Sequence, residues 1–136
     1  MAVVFLRADR KKRVEQGHPW VFQSEIDRVE GSFDPGDLVE VRNHQGRFLA
    51  TGYYNPQSQI AVRIVAHAPL ERMDRAFFAQ RFRACLELRR RFVGDAGACR
   101  LVYGEADFLP GLVVDRFADV LVVQLLTLGM ERRKRE

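Results

Sequence analysis

Cysteine is scarce in this sequence and badly placed for metal chemistry. The only two, Cys85 and Cys99, belong to no CxxC pair and sit near no histidine cluster, which excludes the common zinc frameworks and leaves reduced thiols of a cytosolic protein as the plain reading. Long apolar runs are missing too. No stretch approaches the ~20 residues of a membrane span, and "MAVVFLRADR" turns to charge too early for a signal peptide. The protein is therefore expected to be soluble and cytoplasmic, with no membrane partner. Absent as well are a GxGxxG or other glycine-rich turn between strand and helix, a P-loop, an HExxH and a serine in a nucleophile elbow. No catalytic, metal-ligating or cofactor-binding residue is assigned, and no cofactor is expected in this chain.

What is present suffices for a core. The chain has 136 residues, 47% of them hydrophobic, enough for one domain or two small ones. Lys plus Arg total 22 against 18 for Asp plus Glu, a net charge of +4. That balance alone does not identify a nucleic-acid binder. Its distribution says more: residues 7–13, "RADRKKR", carry five cations against Asp9, and residues 70–93 carry seven arginines against Glu71, Asp74 and Glu87. Two local basic patches result.

The apolar pattern divides the chain. "VVFL" reads as a strand, and "ADRKKRVEQG" as a brief helix stopped at Gly17. "DPGD" at 34–37 is a turn by composition, followed by "LVEVRN", where Val39 and Val41 alternate with charge. "NHQG" suits a hairpin connection into "RFLATGYYN", and "QIAVRIVAH" supplies another strand. Short strands with one early helix describe a small mixed barrel over residues 1–68. After Pro69 the period changes. Met73, Phe77 or Phe78, Phe82, Cys85, Leu86 and Phe92 recur at helical spacing, predicting an amphipathic helix of roughly twenty residues. "GDAGA" ends it, and the β-branched runs "GLVVD" and "VLVVQLL" then pair as a hairpin. Thr127 caps a further helix that breaks off in "ERRKRE". The fold class is α+β, a small barrel followed by a small α/β domain at 69–136.

Chemistry gathers around "GHPWVF", residues 17–22. Trp20 is expected to be a core anchor after a proline turn, with a face for base stacking as the alternative, while Arg10, Lys11, Lys12 and Arg13 offer charge to phosphates. His18 precedes a proline, so its backbone is extended and its ring can project from the turn. His44 and His67 lie in strand connections without converging partners. Glu105, Asp107 and Asp115 are split between a glycine- and proline-bounded loop and a strand end, an arrangement that suits turn structure better than acid–base work. The arginine helix reads equally as a solvated face or as an RNA-backbone contact.

The segments "KKRVEQGHPWVFQSEI", "GRFLATGYYNPQSQIAVRIV" and "RLVYGEADFLPGLVVDRFADVLVVQ" resemble the opening portion of a bacterial family of S-adenosylmethionine-dependent ribosomal RNA large-subunit methyltransferases, described members of which modify cytosine at carbon 5. The resemblance spans nearly the whole chain in order. It implies a PUA domain, a small RNA-binding pseudobarrel, at residues 1–68 and the family's central α/β domain at 69–136. It also implies that the Rossmann-like catalytic domain, with its methyl donor and nucleophilic cysteine, belongs after this chain stops, so neither Cys85 nor Cys99 is that cysteine. The chain is then expected to be truncated at its C-terminus, to bind structured ribosomal RNA and to be inactive in methyl transfer alone. Its RNA contacts are expected from Arg10, Lys11, Lys12, Arg13 and His18, with Arg75, Arg81 and Arg83 from the helix. The alternative is a protein-interaction or homodimerisation module indifferent to RNA.

Overall fold

The computed structural model describes residues 1–94 and 97–136. The chain divides into two compact units, Met1–Arg72 and Met73–Glu136.

The first unit is a six-stranded sheet curled into a half-barrel: β1 (Ala2–Leu6), β2 (Trp20–Phe22), β3 (Ile26–Glu30), β4 (Leu38–Arg42), β5 (Phe48–Tyr54) and β6 (Ile60–Ala66). The spatial order is β2-β6-β5-β4-β1-β3. All neighbours are antiparallel except β1 and β4. Alternation builds the core, because strand side chains point to opposite faces. Ala2, Val4 and Leu6 of β1 meet Val39 and Val41 of β4 inside the curl, while Glu40 and Arg42 face outward and pair at 2.7 Å. β5 and β6 approach so closely at Gly52 that an added Cβ would stand 2.4 Å from the Arg63 carbonyl oxygen.

The turns follow their composition. In "DPGD" the Asp34 N–H donates to the Asp37 carboxylate at 2.8 Å. In "NHQG" the Asn43 side-chain oxygen accepts from the N–H groups of both Gln45 and Arg47, and Gly46 takes φ +85°. The early helix is much shorter than expected: only Val14–Gln16 form a 3-10 turn, closed by the Gly17 N–H on the Val14 carbonyl. The physical reason lies in the run itself. Val14 is its single apolar anchor, and one buried side chain cannot dock several helical turns.

The second unit opens with α1 (Arg75–Phe92), capped by the Asp74 carboxylate accepting from the Phe77 N–H at 3.0 Å. An antiparallel sheet follows, β7 (Ala98–Tyr103), β8 (Leu112–Phe117) and β9 (Val120–Leu125), in the order β7-β8-β9. The short α2 (Leu128–Glu131) is capped by Thr127. Part of the helix stop expected at "GDAGA", Asp95 and Ala96, lies outside the described residues. The apolar stripe of α1 is narrower than its spacing suggests, since only Phe78 and Cys85 are buried on the helix. Phe82, Leu86 and Phe92 are exposed, because the helix packs mainly on β7.

The hairpin of β8 and β9 forms as expected, with Phe117 opposite Val120. Its two-residue connection uses Ala118 at φ +54°, an uncommon conformation for a residue with a Cβ. That choice explains why "FADV" is a faint turn signal. The two strands differ sharply: Leu112, Val113 and Val114 are buried, whereas Val120 through Val123 are exposed on both faces of β9.

Candidate nucleic-acid interface

The basic run of the first unit separates into cations that hold structure and cations that face water. Arg10 turns inward, its side chain only 5% exposed, and its two terminal nitrogens donate to the Glu15 carboxylate at 2.7 and 3.1 Å. That guanidinium holds the Glu15 carboxyl below the usual range against partial burial, and Lys12 adds to the effect. Arg13 lies 3.5 Å from the buried Glu25 carboxylate and 5.0 Å from the Phe22 ring centroid. Glu25 in turn accepts from the Phe22 N–H at 2.9 Å. Lys11 and Lys12 remain exposed between these two anchors. Of these four cations, the two lysines are the ones left fully facing water.

Strand parity decides what happens at "GHPWVF". In β2, Val21 enters the core with no exposed surface, which sends Trp20 and Phe22 to the opposite face, half-buried. The expectation of a core-seated tryptophan is corrected on this point. Three residues at the edge of a sheet leave only one of them for the core. His18, Trp20 and Phe22 form an edge-to-face series, with centroids 5.8 and 6.3 Å apart. The His18 Nδ1 accepts the Trp20 N–H at 3.2 Å, fixing the ring over the turn. Across the strand pair, Trp20 stands opposite Arg63, whose guanidinium carbon is 5.6 Å from the indole. The result is an aromatic strip with Arg13 over Phe22 and Arg63 over Trp20.

Arg63 went unnoticed in the sequence reading, although "AVRIV" carries the signal. An arginine between core residues of a strand must face outward, and the β2–β6 register brings it to Trp20. Arg47, at the end of the β4–β5 turn, was missed for a different reason. It becomes relevant only because that turn comes up against residues 7–15, leaving a cleft of about 240 Å³ between them.

The other named arginines belong to the second unit. Arg75 and Arg83 are exposed on α1. Arg81 lies over both Phe77 and Phe108, at 5.2 and 5.5 Å from their centroids. Arg89, at the far end of the helix, makes a two-pronged ion pair with Asp107 at 2.7 and 3.1 Å, and Asp107 also accepts the Tyr103 N–H at 2.7 Å. Asp115 is paired with Arg100 at 2.8 Å. Both aspartates are thus bound up in structure. Cys85 is buried, and burial pushes its thiol pKa up, away from the thiolate that a nucleophile needs. Among the described residues no helix is long and apolar enough to cross a membrane.

The described residues also bear on a methyl donor. Nucleoside cofactors are held by a glycine-rich turn against a helix N-terminus, with an acidic side chain for the ribose. The one long helix begins instead at Asp74, whose carboxylate is occupied by the Phe77 N–H, and the cleft is cationic. Neither that helix start nor the cleft offers the pattern that holds S-adenosylmethionine.

Comparison with known proteins agrees with this architecture. Residues 4–67 match the family model of the PUA-like domain. The chain is 41% identical over 137 residues to the ribosomal RNA large subunit methyltransferase I of Pseudoalteromonas translucida, covering 99% of this chain and 35% of that protein. The Escherichia coli protein of the same name is 39% identical over 131 residues, covering 95% of this chain and 33% of that one. A solved structure described as a SAM-dependent methyltransferase from Streptococcus mutans superimposes with a TM-score of 0.83 at 15% identity, over 99% of this chain and 35% of that one. The chain carries a PUA-like domain, is homologous to these ribosomal RNA methyltransferases, and spans about a third of the length of the curated relatives it matches.

Proposed function

We propose that this chain is the RNA-recognition portion of an S-adenosylmethionine-dependent ribosomal RNA large-subunit methyltransferase acting on carbon 5 of a cytosine. Methyl-donor binding and methyl transfer fall to residues other than these, and the partner of this portion is structured ribosomal RNA. The observation that carries the reading is the outer face of β2, where His18, Trp20 and Phe22 line up with Arg13 over Phe22 and Arg63 over Trp20, in a unit that also exposes Lys11 and Lys12. Aromatic faces accept unstacked bases, and adjoining cations neutralise phosphates, a combination suited to RNA with exposed loops. Arg75, Arg81 and Arg83 on α1 are offered as additional backbone contacts.

The test is binding of the purified chain to a ribosomal RNA fragment at two salt concentrations. Log K should fall linearly with log salt, because each neutralised phosphate releases counterions. Changing Lys11 and Lys12 together to Ala should flatten that slope. Trp20→Ala should instead weaken binding by about 1–3 kcal/mol at both salts, as expected for a lost stacking face. A wild-type chain that is folded by circular dichroism yet binds equally at low and moderate salt contradicts the reading.

A second reading is favoured by β9, whose Val120, Leu121, Val122 and Val123 are all exposed on an edge strand. Such an edge invites pairing with another chain. A homodimerisation module predicts a sedimentation profile that depends on concentration, ignores RNA and becomes monomeric in Val122→Lys.

A further inference from the structure

The cleft between residues 7–15 and the β4–β5 turn is not explained by the aromatic strip. Its lining brings together Arg7, Arg10, Lys12 and Arg47, with Glu15 as the single carboxylate and His44 at the rim. Glu15 does not neutralise the set, because both of its oxygens are taken by Arg10. Arg7 pairs with Asp9 in an exposed contact, with Asp27 a weaker influence. Among the described residues, neither Lys12 nor Arg47 has a carboxylate within ion-pair distance. Arg10 is more than nine-tenths buried, and its Nε–H has no acceptor. That nitrogen is closed off from solvent, so the charge presented to an anion in the cleft is that of Lys12, Arg47 and Arg7.

The walls are held independently of any ligand. Asn43 ties down the N–H groups of Gln45 and Arg47, and Arg42 donates to the Gly46 carbonyl at 2.9 Å. The turn therefore presents Arg47 from a fixed backbone, which lowers the ordering cost of binding. Size narrows the ligand. At about 240 Å³ the cleft is smaller than pockets that enclose drug-sized molecules, so a phosphate with part of its sugar fits better than a whole cofactor. A duplex presents its phosphates on a convex ridge, whereas a single strand can lower one into a concavity.

We propose that this cleft is a subsite for one phosphate group of a single-stranded RNA segment, an inference that rests on the RNA reading above. Lys12 and Arg47 supply the charge, Arg7 supports it from the rim, and the Arg10–Glu15 pair forms the floor.

The experiment is an amide chemical-shift titration of the full 136-residue chain. A short single-stranded oligoribonucleotide, a duplex of the same length and inorganic phosphate are each added at constant ionic strength, with wild type, a Lys12→Ala/Arg47→Ala double variant and Arg28→Ala, which lies outside both the cleft lining and the aromatic strip. The single strand should shift the amides of Lys12 and of 45–47 saturably. The double variant should lose those shifts and weaken the single strand about tenfold, as expected for two lost phosphate contacts, while Arg28→Ala keeps the cleft shifts. RNA binding that leaves the cleft amides unmoved, or a duplex that shifts them as strongly, overturns the subsite and leaves the RNA reading standing. Inorganic phosphate that shifts the cleft while neither RNA binds supports the phosphate chemistry and overturns RNA as its source. Silence from all three ligands overturns both.

Discussion

Asp107→Ala should lower the stability of the second unit by about 3–5 kcal/mol, the range for removing one partner of a buried ion pair. The side chains of Arg89 and Asp107 are 17% and 5% exposed. Asp107 satisfies both terminal nitrogens of Arg89 and the Tyr103 N–H, so three donors lose their acceptor in one substitution. The orphaned guanidinium dominates, because a buried charge without a partner keeps its desolvation cost and loses its compensation. Asp107→Asn, which retains the shape and one acceptor, should cost less. Replacing Arg89 and Asp107 together by Met and Leu should cost less again than Asp107→Ala, since no charge is then left buried. Urea unfolding of the three variants gives the ranking, and a double variant less stable than Asp107→Ala would mean that the pair itself, not the orphaned charge, carries the energy.

In the first unit the largest effect belongs to Gly52→Ala. The new Cβ would meet the Arg63 carbonyl oxygen at 2.4 Å and Val62 Cγ1 at 2.7 Å. The first of these is backbone of the paired strand, which cannot swing aside as a side-chain tip can. Strands β5 and β6 would have to separate locally, opening the sheet beside the edge that carries Trp20 and Arg63. Overpacking of this kind costs about 3 kcal/mol, enough to leave a small domain partly unfolded. Gly46→Ala is the comparison: its Cβ meets nothing within 4 Å, so only the strain of φ +85° remains. That strain is about 1–2 kcal/mol. Thermal denaturation with far-ultraviolet dichroism separates the two, and equal losses would show that sterics at β5–β6 are not the cause.

Both predictions concern features with little trace in the sequence. Gly52 sits in "ATGYY" as one glycine among several, and only the distance to β6 makes it intolerant of a methyl group. Asp107 looked like an ordinary loop acid. Its partner lies 18 residues earlier on α1, and no local pattern records a pairing that depends on how a helix meets a strand.

Other parts were legible because their physics is local. Val39 and Val41 alternate with Glu40 and Arg42, and a period of two admits one strand and one buried face. "DPGD" and "NHQG" carry turn chemistry in their own side chains. Thr127 caps the short helix that follows it. The stripe on α1 identified the helix but overstated its buried face, since spacing reports which residues share a side and says nothing of how wide a neighbour covers it.

The candidate interface divides in the same way. Composition alone brought out Arg10, Lys11, Lys12 and Arg13, because five cations within residues 7–13 outweigh any neighbouring acid. Their separate tasks required the fold: Glu15 draws Arg10 inward, Glu25 and Phe22 engage Arg13, and the two lysines are left to solvent.

By itself, then, the sequence determined the α+β class, four of the six strands of the half-barrel with the turns at 34–37 and 43–46, the long helix and the location of the basic run, all set by interactions within a few residues. Tertiary structure alone decided that Val21 rather than Trp20 enters the core, that Arg63 and Arg47 join the basic surface, and that a cationic cleft opens beside the β4–β5 turn. Each of these depends on strand parity and pairing between segments far apart in the chain, and chain closure brings such segments together without leaving a local mark.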